Sequence, residues 1–320
     1  MAGEIPSGLP RLLGDSLSNY SGALLSGGPG KDGIPSIDKP KFIDANAANQ
    51  YLDPNDIVFG IYLQGQARAY PQRILVWHEI VNDQIGDTPL GISYCPLTAT
   101  AIGFRRGAAE FGVSGRLLNS NVVMYDRTSD SLWSQIAGVA IDGAGQGQFL
   151  DEVRVVWTTW AKWQARHPQT QVLSRDTGSI RNYASDPYGG YNPPRGYYAK
   201  AATLFPVQYQ DPRLHAKQMI LGFRSAEQAI VVDRARLKQQ GVIYYRHGND
   251  HYVIIADPDL DTGWVFRSAT PYVLDREQLR FTSAGPQAPG LDKLEAVNTF
   301  DAMWFAWFAF YPATVILNGD

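Results

Sequence analysis

Hydrophobic and polar positions alternate from Ile57 to Leu63 as they do in a half-buried strand, and after a turn Ala67 to Tyr70 reads as its partner. Pro71 to Glu79 follows with helical character. Leu90 to Tyr94 and Thr100 to Phe104 read as two further strands, the second entered after Pro96. Farther on the period changes. Trp157, Trp160 and Trp163 recur at helical spacing, as do Phe300, Trp304, Trp307 and Phe308, and each run stops before a proline, where the residue ahead of the ring is driven out of the helical region. The tryptophans are therefore expected in the core. His167 precedes Pro168 as Tyr311 precedes Pro312, so an aromatic packing role is expected for it rather than a catalytic one.

These elements repeat. Adding 162 carries Leu75 onto Leu237, Ile92 onto Ile254, Cys95 onto Asp257, Pro96 onto Pro258 and Phe104 onto Phe266. A second block at offset 144 carries Trp160 onto Trp304, Trp163 onto Trp307 and Thr170 onto Thr314, so the second copy is 18 residues shorter. The reading is an α+β, β-rich, internally duplicated chain with a closing Trp-rich helix in each copy. It has an N-terminal extension (1–55), a first repeat (56–173), a connecting segment rich in Tyr, Gly and Pro (174–216) and a second, shorter repeat (217–317). Tyrosines where a flexible linker would carry serines make the connecting segment an ordered loop.

Composition narrows the function classes. With 44% hydrophobic and 18% charged residues, 17 Tyr and 8 Trp, the chain can bury enough apolar surface to offset its conformational entropy. A formal charge of -3 without a basic cluster excludes a nucleic-acid footprint. The apolar run Met303 to Tyr311 is too short to span a bilayer and reads as a buried helix. Met1 to Gly8 lacks the basic, apolar and small-residue succession of a secretory signal. The oligomeric state is not legible.

Function is expected where the copies differ. Cys95, the single cysteine, faces Asp257 across the repeat and cannot form an internal disulfide. Only the first copy has the insert from Leu117 to Thr128 and Ser131 to Gln135, in which Val122 and Met124 alternate with Asn121, Tyr125 and Arg127. Three readings of Cys95 stand open. As a nucleophile it needs a thiolate and a base, with His78 as the base, Glu79 or Asp126 to orient it, and Arg127 to offset charge. As a metal ligand it would pair with His78, joined by Glu79, Met124 or His215, a soft set suited to copper; structural zinc is disfavoured because no paired-ligand spacing exists. As a small buried hydrophobe it would have no chemistry.

A small-molecule ligand is the expected partner in the first and last of these readings. Tyr94, Asn121, Trp133, Gln135, Arg181 and Tyr191 are its candidate contacts, with the aromatic loop Tyr183 to Tyr198 suited to a carbohydrate or peptide. Asp126 and Arg127 read equally well as a surface ion pair. No nucleotide cofactor motif is present: Gly143 to Gly147 lacks the Lys-Ser/Thr of a phosphate loop. Asp257 to Asp261 lacks the Gly and distal Glu of a calcium loop, and His247 and His251 flank a turn.

Trp77-His78-Glu79, Ser93-Tyr94-Cys95-Pro96-Leu97, Asn119 through Arg127, Leu132 through Gln135, Arg181 through Tyr191 and Trp304 through Trp307 resemble the domain-of-unknown-function family numbered 3179 over roughly residues 50 to 317. The resemblance implies a bacterial or archaeal protein, often exported or lipid-anchored, hence an extracytoplasmic location, and brings no activity with it. It implies a second cysteine at the position of Thr98, so a dithiol mechanism is not expected in this chain.

Overall fold

The computed structural model describes residues 12–225 and 227–317, so Met1 to Gly8 and the start of the N-terminal extension lie outside the described residues. The chain is β-rich, 41% strand and 14% helix. Ile57–Leu63 and Gln66–Pro71 form a hairpin closed by Gln64 and Gly65, both at positive φ (52° and 75°), the backbone that a tight two-residue turn needs to match the strand twist. The expected helix after it is short, Gln72–Leu75, and turns onward to Glu79.

Two sheets share the first half. One has the order Val156–Thr159, Ile57–Leu63, Gln66–Pro71, Gln171–Leu173, with Phe42–Asp44 on its edge. The other has the order Asp151–Val153, Thr100–Arg105, Thr88–Cys95, Ile80–Ile85. Both orders recur in the second half. Thr299–Met303, Met219–Arg224, Ala229–Asp233 and Val315–Ile316 make one sheet, and Glu295–Val297, Thr262–Ser268, Asp250–Asp257 and Val242–His247 the other. Gln171–Leu173 runs parallel to its neighbour, as does Val315–Ile316. Ladder positions agree at the 162-residue offset: Cys95 pairs with Thr100 and Asp257 with Thr262, and Ile80 pairs with Ser93 and Val242 with Ile255.

The two Trp-bearing helices, Trp160–Arg166 and Trp304–Phe310, lie against these sheets in the same way. Each places an indole over a glycine of the sheet, Trp163 over Gly60 and Trp307 over Gly222, so close that a methyl group at either glycine would sit 2.2 Å from the ring. Each of these indoles donates to a threonine hydroxyl seven residues on, Trp163 to Thr170 and Trp307 to Thr314, both at 2.9 Å. His167 is buried, with its ring 4.1 Å from that of Trp163 and 5.4 Å from that of Tyr62.

The first half carries a further five-stranded sheet, where the second has only the two-stranded ribbon of Arg280–Thr282 and Gly285–Gln287. The five-stranded sheet comprises Phe111–Leu118, Asn121–Asp126, Leu132–Ser134 and Val139–Asp142, with Leu25–Ser26 at its edge. Its side chains join a hydrophobic cluster that also takes in Phe59, Cys95 and Trp157 from the first half and Phe300, Trp304 and Trp307 from the second. Buried ion pairs tie the halves together. Arg224 bonds Glu152 as well as the Tyr311 hydroxyl at 2.9 Å, and Arg166 grips Asp257 through two hydrogen bonds of 3.0 and 3.2 Å.

Candidate functional site

Cys95 ends its strand with no exposed surface, its Sγ 3.8 Å from the Ser120 carbonyl oxygen. Around it the chain bends sharply. Glu79, Ala99, Asn119 and Ser120 all adopt left-handed backbone, with φ of 57°, 49°, 52° and 63°. Asn119 adopts it readily, whereas in Glu79, Ala99 and Ser120 it costs about 1 to 2 kcal/mol. Asn119 and Ser120 close the hairpin between Phe111–Leu118 and Asn121–Asp126, and Ala99 closes the Cys95-to-Thr100 loop. Burial, and then the nearby charge of Glu79, push the Cys95 thiol up to about 12, against the pull of the Thr98 hydroxyl and the backbone of Val122 and Leu97. The depressed pKa expected of an activated thiol is therefore not found.

His78 does not serve Cys95. Its Nδ1 lies 2.7 Å from the Pro35 carbonyl oxygen and its Nε2 2.6 Å from the Tyr183 hydroxyl. A carbonyl can only accept, so Nδ1 carries the proton and Nε2 accepts from Tyr183. Burial lowers the His78 pKa, which keeps this neutral tautomer in place. Both nitrogens are spent on positioning the loop, and neither the base nor the copper-ligand role has a free atom.

The expected copper set is likewise not assembled. His215 is exposed, and among the described residues no group of three or more His, Cys, Asp or Glu could hold a metal ion.

Glu79 is the carboxylate whose charge reaches Cys95. Its backbone accepts from Tyr94 N at 2.7 Å, which sets it beside the end of the cysteine strand. The residue is 7% exposed, its side chain has no hydrogen-bond partner among the described residues, and burial raises its pKa to about 8. The corresponding residue of the second half is Gly241, at φ 76°, with the same bonds: Gly241 N donates to Leu237 O as Glu79 N does to Leu75 O, and Ala256 N donates to Gly241 O. A helix that ends in left-handed backbone favours glycine there. The first half instead keeps a carboxyl there, in a residue only 7% exposed and with no hydrogen-bond partner among the described residues.

Above the pair lies the connecting segment. Burial raises the pKa of Tyr188 and Tyr197, and the charges of Glu79 and Cys95 at Tyr188 and of Cys95 at Tyr197 add to it. Tyr197 donates to the Leu97 carbonyl at 2.8 Å and is held from behind by Lys217, whose ammonium donates to the Tyr197 carbonyl at 2.5 Å and stands 3.2 Å from the Tyr197 ring centre. Tyr94 and Tyr191 join through their hydroxyls at 2.8 Å, and Tyr191 stacks on Tyr198 at 3.9 Å. Gln72 and Tyr198 both donate to Asp186, at 2.8 and 3.1 Å. The tyrosines thus pack on the protein and cover the thiol, rather than presenting an open platform.

The remaining sequence candidates have structural partners. Asn121 and Gln135 are fully buried and bond each other at 2.7 Å, and the network runs on to Thr98, Thr100 and Ser93. Nothing in it is left to bind a ligand. Asp126 accepts from Thr128 N, Ser129 N and the Trp133 indole, so it pins its own turn and holds Trp133. Arg127 pairs not with Asp126 but with Asp38 at 3.2 Å. Arg181 is exposed and bonds only the Ile180 carbonyl. Glu79 is legible in the sequence through its contrast with Gly241 at the 162-residue offset.

The chain belongs to the DUF3179 family, described as proteins of unknown function, whose model matches residues 31–314. Neither the curated proteins nor the solved structures gave a match. No helix among the described residues is long and apolar enough to cross a membrane.

Proposed function

We propose that the first half carries a thiol–carboxyl site in which Cys95 is the nucleophile and Glu79, not His78, exchanges its proton. The observation that carries this reading is Glu79, only 7% exposed and without a hydrogen-bond partner among the described residues, at a positive φ where the other half has Gly241. Conformation and desolvation both disfavour it, so its retention beside the only thiol calls for a chemical use. The charge of Glu79 acts on the Cys95 thiol, and two acids that act on each other titrate as a pair. Losing one proton gives a single negative charge shared between thiol–carboxylate and thiolate–carboxylic acid. In the second form, the Thr98 hydroxyl and the backbone of Leu97 and Val122 favour the sulfur anion.

A substrate with an electrophilic centre would then be admitted beneath the tyrosine segment, attacked by the thiolate, and its leaving group protonated by Glu79. The matched strand orders and the differences between the halves further support descent from a duplication in which one copy kept the chemistry. The extracytoplasmic location belongs to the same proposal.

Alkylation of Cys95 by iodoacetamide, followed by mass spectrometry, tests the pairing. The wild-type rate should rise tenfold per pH unit up to about pH 8 and then level off, because the thiolate share of the singly charged pair is constant. In Glu79→Gln the rate should keep rising. Identical profiles for the two proteins, or a thiol inert in the folded chain at every pH, sink the proposal.

A further inference from the structure

The second half has a cavity where the first half has its thiol. It measures about 250 Å³ and is lined by Leu221, Leu237, Gly241, Ala256, Asp257 and Gly263, with Arg234, Lys238, Arg276 and Phe281 at its sides. At the 162-residue offset the first six correspond to Phe59, Leu75, Glu79, Tyr94, Cys95 and Ala101. The place is the same in both halves, the end of the hairpin loop beside the helix that precedes it, but its filling differs. Where the first half inserts the carboxyl of Glu79 and the phenol of Tyr94, both buried, the second has Gly241 and Ala256. A methyl group at Gly241 would meet nothing within 4 Å.

The charges of the lining differ too. Gln72 and Val76 of the first half become Arg234 and Lys238. Asp257 is neutralised by Arg166, and Asp261 is met by Lys238 at 3.1 Å and by Arg234 at 3.7 Å, while Arg234 also reaches Asp301 at 3.2 Å. Arg276 is exposed and has no carboxylate partner among the described residues.

We infer that this cavity is a binding site for a small aromatic carboxylate, whose ring takes the space of the absent phenol between Leu221, Leu237 and Phe281 and whose anionic group is held by Arg276 and Lys238. An apolar interior with a few convergent polar groups is the usual build of a small-ligand site. A guanidinium without a partner matches the planar carboxylate. The inference is independent of the chemistry at Cys95. It gives the second half a binding role of its own.

The probe is 3-(4-hydroxyphenyl)propionate, which joins a phenol to a carboxyethyl group, titrated into the full chain by calorimetry. Saturable one-site binding is expected, weakened about two- to fivefold by Arg276→Gln and by Lys238→Gln, both exposed positions that leave the fold intact. Ala256→Tyr should refill the cavity and abolish binding, with the near-ultraviolet dichroism of the folded chain unchanged. Tyramine, which has an ammonium in place of the carboxylate, should not bind. Absence of saturable binding below about 10 mM overturns the inference, as do equal binding of tyramine, displacement of the probe by equimolar inorganic phosphate, or indifference to both charge variants.

Discussion

Glu79→Gln should stabilise the protein, and by an amount that depends on pH. The folded state raises the carboxyl from 4.5 to about 8, through burial alone. A group whose folded pKa lies above its unfolded one binds its proton more tightly when folded. Its contribution is therefore most favourable below about pH 4.5 and is lost as pH rises through 8. At about 1.4 kcal/mol per pH unit, the wild type forfeits about 3 kcal/mol by pH 7 and reaches a ceiling of about 5 kcal/mol above pH 8. Glutamine keeps the side-chain length and the left-handed backbone but has no proton to lose, so its own burial cost is constant. The assay is urea unfolding of both proteins at about pH 5, 7 and 9, compared through the midpoint and its slope. The difference should widen from pH 5 to pH 7 and level off beyond pH 8. A difference that stays flat over this range refutes the reasoning, since the carboxyl would then be solvated or paired.

Three further outcomes follow from the packing. Gly60→Ala, which brings a carbon to 2.2 Å from the Trp163 ring, should cost at least about 1 to 3 kcal/mol in urea unfolding. Gly22→Ala, in the helix Leu17–Gly22 with nothing within 4 Å, is its control and should instead stabilise by about 0.5 to 1 kcal/mol. Asp257→Asn, which leaves Arg166 only the exposed Asp259 at 2.9 Å as a counter-charge, should destabilise the fold by about 1 to 3 kcal/mol, read as a lowered thermal midpoint. His167 is held down to about 4 by burial and by Arg166, so the wild type loses stability as pH falls from 6.5 towards 4. His167→Phe should remove that acid-linked loss, worth at most about 3 kcal/mol, and the two unfolding midpoints should diverge over that range.

The sequence was most informative where side-chain period and packing coincide. Trp163 and Trp307 are large, apolar and regularly spaced, so their burial follows from position alone, and the same holds for the strands at Ile57 and Leu90. The insert was harder to read. Asn121 and Gln135 alternate with apolar neighbours as residues lining a cleft would, yet a second layer of chain covers them, and they satisfy each other. Whether a polar residue in a strand meets solvent, ligand or another amide is decided by what packs on it, which local pattern does not encode. His78 illustrates the same limit. Its nearness to Cys95 in sequence says nothing of the carbonyl and the tyrosine that claim its ring. Glu79 was within reach, because a carboxylate aligned with a glycine signals a left-handed backbone bearing a side chain for a reason.

One hydrophobic cluster takes in Cys95, Trp157, Trp304 and Trp307, so the halves have no seam along which to part. Access to the sulfur must then come from local opening of the tyrosine segment, while the sheets beneath stay closed. The rate at which that segment lifts becomes a gate in series with any chemistry at the thiol, and a reagent's apparent reactivity would report the clock of the cover as much as the acidity beneath it.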